Sequence, residues 1–362
     1  MTSPPSKAQL KKQLILKALV GIIVAAGLYL ALRHPPYSYK DTDVPTQTEM
    51  SPRLKKLFTK TKSVCFGRYV LDVPEEALLI LGYQEMPAKI VTHENAAGKE
   101  KDLVEAFRKE TLIEDPEAEF TPLLAGPVPN SFLQRYFASP YLKSVGGEGI
   151  INFVPAGNHV FEFGWGSGDE ESADQIIRKS ADIARNLRAR DNAEVPKGPG
   201  VCIDLGFITE TSGTFQEIFS AGVHFPSLPD VSFSVMSNKN ASTDGPNGVG
   251  IIERHEAAMR DQGVIFPINS ELTRLRIGKH VVNGWNGEEV LLRHNGKDGA
   301  MIHEFMWEAI GKTGDLHHPA NVDINFDTGV AANTKYATRG SLTDDEAVAF
   351  WDKLLSSLRF RD

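Results

Sequence analysis

The sequence lacks most of the short motifs by which enzymes are recognised. HEAAM begins like a zinc-binding HExxH helix, but Met259 stands where the second histidine would have to be. The glycines around Ser167 in GWGSG do not form the GxSxG pattern of a nucleophile elbow. A GxGxxG turn for a dinucleotide is also missing. We therefore predict no catalytic residue, no metal and no cofactor.

One acidic motif remains after these exclusions. Asp327 stands in FDTG, and aspartic proteases present a carboxylate on an Asp-Thr-Gly turn. That chemistry needs two carboxylates that share a proton. The chain has no second DTG or DSG, although a homodimer would supply one. A hydrolase that uses Asp327 or a site between two lobes therefore stays open as an alternative function.

Acidic residues are absent from the first 40 positions, which hold six lysines and arginines. The rest of the chain keeps 33 of the 39 basic side chains against all 47 acidic ones, a net charge of −14. This excess disfavours nucleic acid as a partner and admits a basic protein. Ordinary solubility explains the excess equally well.

Charged residues are also missing from ALVGIIVAAGLYLAL, which runs from Ala18 to Leu32. With the three preceding apolar residues, and with Lys17 snorkelling, the run approaches the ~20 residues that cross a bilayer. More basic residues precede it than immediately follow it, which predicts a cytoplasmic N-terminus and an exported body. A cleaved signal, for which Ala25-Ala26-Gly27 is a weak cleavage site, is one alternative, and a buried helix of a soluble domain is another.

Two segments of the chain, one near its middle and one at its C-terminal end, resemble each other. SADQIIRKSADIARNLRARD (172–191) and TDDEAVAFWDKLLSSLRFRD (343–362) align without a gap. Ser172 and Thr343 each stand three residues before a Gln or Glu, which is the spacing of a capping box. Both segments also carry an apolar stripe of helical period. Each is therefore predicted to be an amphipathic helix that closes a structural unit.

The similarity continues upstream in the same order. HVFEFGW (159–165) matches MIHEFMW (301–307), and VCFGRYVLDV (64–73) matches VCIDLGFITE (201–210). Short apolar strands look alike by chance, but three ordered landmarks favour duplication. The predicted fold is α+β: two tandem, duplicated lobes, each an antiparallel sheet covered by helices, after an N-terminal transmembrane helix. The lengths fit two domains of ~150 residues.

This organisation divides the chain into six parts. They are the basic cytoplasmic N-terminus 1–17, the anchor or signal segment 18–32, the tether 33–50, the N-terminal lobe 51–191, the linker 192–200 and the C-terminal lobe 201–362. The middle helices of the lobes are predicted at 100–111 and 250–262. The segments 119–146 and 311–340 have no counterpart in the other lobe, and they are our candidates for specificity elements.

A few residues are candidates for contacts or cross-links. Cys65 and Cys202, the two cysteines, either form a disulfide in an oxidising compartment or are separate small core residues. Trp285 and Asn286 stand in a predicted turn where an aromatic residue either anchors a partner or folds back into the core. Trp165 is a further candidate for a partner contact.

The start of the first lobe carries a family resemblance. RLKKLFTKTKSVCFGRYVLDVPEEA (53–77) resembles the opening of the immunity proteins that neutralise type VI secretion phospholipase effectors. GVCIDLGFI (200–208), PDVSFSVMSN (229–238) and GWNGEEVLLR (284–293) are similar to the C-terminal domain of that family. Together these motifs extend the resemblance over most of 53–362.

The resemblance implies a two-domain α+β protein in the periplasm that binds a secreted lipase and so protects the membrane of its own cell. Such an inhibitor is no enzyme, takes no small-molecule substrate and acts through a complementary surface. The N-terminal helix would hold it at the inner membrane, where its target acts. The alternatives are a periplasmic hydrolase, as above, and a membrane-tethered scaffold of an envelope assembly.

Overall fold

The computed structural model describes residues 21–22, 39–41, 49–168, 171–261, 272–295, 301–329 and 340–361. The helices in this part of the chain are α1 (Pro52–Leu57), α2 (Glu100–Glu114), α3 (Pro140–Ser144), α4 (Ala173–Asn186), α5 (Ile251–Asp261) and α6 (Asp344–Leu355). The strands of the first lobe are β2 (Thr61–Phe66), β3 (Tyr69–Pro74), β4 (Leu78–Glu85), β5 (Ile90–His93), β6 (Glu119–Phe120), β7 (Leu124–Ala125), β8 (Phe132–Phe137), β9 (Gly149–Ala156), β10 (His159–Gly166) and β11 (Leu187–Ala189). They follow β1 (Tyr39–Asp41).

Nine further strands in the described part of the chain come from the second lobe. They are β12 (Val201–Ile203), β13 (Gly206–Ile208), β14 (Ile218–His224), β15 (Ser232–Asn238), β16 (Leu272–Val282), β17 (Trp285–Asn295), β18 (Met301–Ile310), β19 (Asn321–Asp327) and β20 (Arg359–Phe360). Of the described strands, β16, β17 and β18 are the longest. Eight strands form one sheet in the order β1-β16-β17-β18-β19-β15-β14-β4. The first lobe has a smaller sheet, β5-β10-β9-β8-β6, in which β7 also pairs with β8.

The helix that closes each lobe begins as predicted. Ser172 and Thr343 accept hydrogen bonds from the backbone of the third helical residue, whose side chain caps in return, so both capping boxes are present. α6 then buries its apolar stripe against the eight-stranded sheet, where Trp351 packs 6.0 Å from Phe305 and 6.2 Å from Phe233 between ring centroids. The predicted α+β architecture with antiparallel sheets is confirmed at this level.

The expectation of one self-contained sheet per lobe is wrong. β4 comes from the first lobe but pairs with β14, so it forms an edge of the second lobe's sheet. Leu79 and Leu81 of β4 thereby pack against the core beneath β14. β1 pairs in parallel with β16, so the large sheet is not wholly antiparallel. Apolar alternation along a strand shows which face is buried but not which strand lies beside it.

Two small sheets join the lobes to each other. β20, at the end of the second lobe, pairs with β3 of the first, while β11, at the end of the first lobe, pairs with β13 of the second. Each lobe's last strand therefore completes the opening hairpin of the other lobe. The unmatched segment 311–340 supplies β19, which separates β15 from β18 in the large sheet. The duplication itself stays a prediction.

The predicted membrane segment 18–32 lies outside the described residues, except for positions 21 and 22. In the portion that the structure describes, no helix combines the length and the apolar character needed to span a bilayer.

Candidate partner-binding surface

We call the junction of the two lobes the seam. It consists of the two small sheets, β2-β3-β20 and β11-β13-β12, and it contains a disulfide. Cys65 and Cys202 are bonded through their sulfur atoms, and both side chains are fully buried. Beside them Gly67 and Cys202 exchange two backbone hydrogen bonds of 2.8 Å. Of the two alternatives that the sequence left open for the cysteines, the structure contains the bonded one, because the opening hairpins of both lobes lie side by side.

A buried ion network lies next to the disulfide. Arg68 of the first lobe is 4% exposed and donates hydrogen bonds of 2.7 and 2.8 Å to the two carboxylate oxygens of Glu217 in the second lobe. It also donates to the carboxylate of Glu210. Lys239 lies 3.6 Å from Glu217, so two cations face two carboxylates. Burial alone would raise the pKa of Glu210, but Ser212 and Arg68 hold that pKa below its usual value.

The seam therefore holds the lobes in one arrangement. It combines a disulfide, two exchanged strands and charges that are paired on both sides. Arg68 belongs to the run VCFGRY that carries the family resemblance, but the sequence does not indicate its role. Its hydrogen bonds to Glu217 and Glu210 show that it links the two lobes.

The predicted contact residues lie in different surroundings. The indole of Trp285 is 4% exposed, packs 5.7 Å from the Tyr69 ring and donates a 2.7 Å hydrogen bond to the carbonyl of His317. It occupies the core position that was the second alternative for this residue. Asn286 beside it is exposed. Trp165 is half-buried, and its indole N–H donates to Glu171 at 2.9 Å.

One face of the eight-stranded sheet lies on the main core, and α5 covers the other face at β17, where Val290 and Leu292 are buried. Inward-pointing residues of β14, β15 and β19 are buried, while the alternating residues are partly or fully exposed. We call the accessible side the open face. It consists of the even-numbered residues 78–82 of β4, 220–224 of β14 and 232–236 of β15, together with the odd-numbered residues 323–327 of β19.

Two pairs of carboxylates meet where β19 lies beside β18. Asp327 is directly opposite Glu304, and Asp323 is directly opposite Glu308. Burial raises the pKa of Asp327 to about 6, and the charge of Glu304 adds to this rise. Burial and the charge of Glu308 likewise raise the pKa of Asp323 to about 6. In each pair, the neighbouring carboxylate therefore makes ionisation of the aspartate less favourable.

Basic residues of β17 and α5 lie beside two of these four carboxylates. His294 lies 2.8 Å from Glu304, and Arg254 lies 2.8 Å from Glu308. Asp327 is partly buried and lies in a cross-strand row with Ser232 and Glu304. Among the residues that the structure describes, no three His, Cys, Asp or Glu side chains are placed to hold a metal ion.

Known proteins are similar to this chain in sequence and in fold. Residues 194–362 match the family model of the Tle cognate immunity protein 4 C-terminal domain. The immunity protein in a crystal structure of a Tle4–Tli4 complex is 25% identical, with a TM-score of 0.69 over 84% of this chain and 98% of that one. The predicted resemblance to type VI secretion immunity proteins is confirmed.

Two further structures share this immunity-protein fold. The Pseudomonas aeruginosa immunity protein TplEi, solved with a peptide called "L", is 25% identical, with a TM-score of 0.64 over 84% of this chain and 99% of that chain. Its apo structure, 24% identical with a TM-score of 0.66 over 84% and 98% of the two chains, shares the fold. No curated protein matches the chain by sequence.

Proposed function

We propose that this chain is an immunity protein that binds and inhibits a type VI secreted phospholipase effector and so protects the membrane of its own cell. The observation that carries the proposal is the likeness over 84% of the chain to an immunity protein solved in a Tle4–Tli4 complex. The match of residues 194–362 to the cognate immunity domain supports it independently.

The seam suits an inhibitor that acts through shape. Strand exchange and the Cys65–Cys202 bond fix the lobes before any partner arrives, so less conformational freedom is lost on binding. Two lobes in a fixed arrangement can hold a partner between them and block substrate access or lid opening. Asn286, whose side chain is exposed, stays a proposed contact, as does the half-buried Trp165.

We place the body of the protein in the periplasm, with residues 18–32 as its inner-membrane anchor. A disulfide supports this location, because such bonds persist in oxidising compartments. An anchor would raise the concentration of the inhibitor beside the membrane that its target attacks. Protection by a chain without residues 1–32, exported by another signal at native expression, measures how much the anchor matters.

The direct experiment purifies the chain together with a type VI phospholipase effector, sought first as the product of the neighbouring gene. We expect a stoichiometric complex in which lipid hydrolysis is abolished. A lipase that stays free and active would contradict the proposal.

The hydrolase alternative predicts a different result. The purified chain would then turn over a substrate without any partner, and Asp327→Asn would abolish that turnover. The raised pKa of Asp327 beside Glu304 is the observation that supports this alternative, because perturbed pKa values are common at catalytic sites.

A further inference from the structure

The open face is accessible across four neighbouring strands. At its edge, Leu78 and Ile80 of β4 are 54% and 59% exposed, and Met236 of β15 is 42% exposed. Between them lie the small residues Gly222 and Ser234, which are in register with Ile80. Exposed large apolar side chains that surround small residues are a feature of protein-binding surfaces.

The opposite side of the same face is acidic. One row of cross-strand neighbours runs from Leu78 through His224 and Ser232 to Asp327 and then to Glu304. Strands lie about 4.8 Å apart, so Leu78 and Asp327, three strands from each other, are separated by about 14 Å. A single helix or extended segment that lies across the strands would reach both.

Within each carboxylate pair the two charges repel each other. Like charges directly opposite each other on neighbouring strands destabilise a sheet. Arg254 and His294 form their ion pairs with Glu308 and Glu304, the β18 members of the two pairs, and Asp323 and Asp327 lie on the side toward the apolar edge. The same two cations also lower the pKa of Asp323 and of Asp327, but both values stay raised. A cation that arrives from outside on the open face would relieve both repulsions.

We propose that the open face binds a segment of the lipase effector that presents arginine or lysine side chains to Asp323 and Asp327 and an apolar side chain to Leu78 and Ile80. This inference rests on the proposed function and assigns its surface and the chemistry of its partner. Acidic side chains repel nucleic acid and anionic lipid headgroups, which leaves a basic protein segment as the complementary occupant.

The test measures binding of the same purified phospholipase effector to the full chain in detergent. Asp323→Asn/Asp327→Asn removes two charges without removing hydrogen-bonding capacity, and we expect the Kd to rise about tenfold or more. The salt dependence of binding should also become shallower. Ile80→Ser removes an exposed apolar side chain without opening a cavity, and the same loss is expected.

Matched controls lie on α2 in the first lobe. Glu110→Gln/Glu114→Gln changes the net charge equally at exposed positions, and Ile113→Ser removes an isoleucine that is 72% exposed. Each should change the Kd by less than about twofold. An equal effect of the control pair would overturn the inference, because it would show a general response to net charge.

Other outcomes are equally decisive. Unchanged lipase binding by both open-face variants would overturn the inference while leaving the proposed function intact. The same holds if Ile80→Ser abolishes self-association of the chain but not lipase binding, since a second copy would then be the occupant. Failure of the wild-type chain to bind the lipase would instead reject the proposed function, and this inference with it.

Discussion

The seam and the open face differ in how their charged side chains are paired. At the seam Arg68 and Lys239 face Glu210 and Glu217, and the buried charges of both signs are balanced. On the open face, Asp323 and Asp327 stand opposite further carboxylates, and the pKa of each is raised to about 6. The buried seam charges are therefore paired with opposite charges, whereas the like-charged pairs of the open face cost stability in the free protein, a cost that the proposed partner would relieve.

The largest effect is expected from breaking the seam network. Arg68→Met would leave Glu210 and Glu217 buried without their main cation, which costs about 3–5 kcal/mol of unfolding free energy. Chemical denaturation measures this loss. Arg185→Met is the matched control, because its ion pair with Asp182 within α4 is exposed and contributes less than about 1 kcal/mol. Equal losses for both variants would show that the seam network has no special role.

Removing the disulfide should have the next largest effect. Cys65 and Cys202 are 137 residues apart, so the bond strongly restricts the unfolded chain. Cys65→Ala/Cys202→Ala should lower the unfolding free energy by about 2–4 kcal/mol. The wild type should lose the same amount in a reductant, and the variant should not respond to it. A reductant effect that persists in the variant would contradict this assignment.

The smallest effect has the opposite sign. Asp323→Asn/Asp327→Asn should stabilise the free protein at pH 8, by up to about 1 kcal/mol for each carboxylate pair. The folded-state pKa of about 6 lies above the unfolded value near 3.9, so the folded chain holds more protons between these values. Wild-type stability therefore falls as the pH rises through this window.

The gain of the double variant should accordingly be full above pH ~6 and vanish below pH ~4. Denaturation of both proteins across this range gives the difference. A variant that is less stable than the wild type at pH 8 would show that these carboxylates support the fold, and the contrast with the seam would fail.

Local signals in the sequence predicted local structure well. The capping boxes at Ser172 and Thr343 depend on residues three positions apart, so the helices that they begin could be located directly. The middle helices were expected at 100–111 and 250–262, and they run over Glu100–Glu114 and Ile251–Asp261.

Features that depend on pairing between distant segments could not be predicted. The alternation of β4 shows two faces but not that β14 lies beside it. The same limit hid the meeting of Asp327 with Glu304, because register across strands decides it. For Trp285, a turn position allows both an exposed and a buried ring, and only the packing against Tyr69 distinguishes them.

Titration of lipid hydrolysis tests the central claim most directly. The purified phospholipase effector is assayed on vesicles while the full chain is added in increasing amounts. We predict that lipid hydrolysis falls in proportion to the added chain and is lost at an equimolar ratio. Full activity in the presence of an excess of folded, disulfide-bonded chain would contradict it.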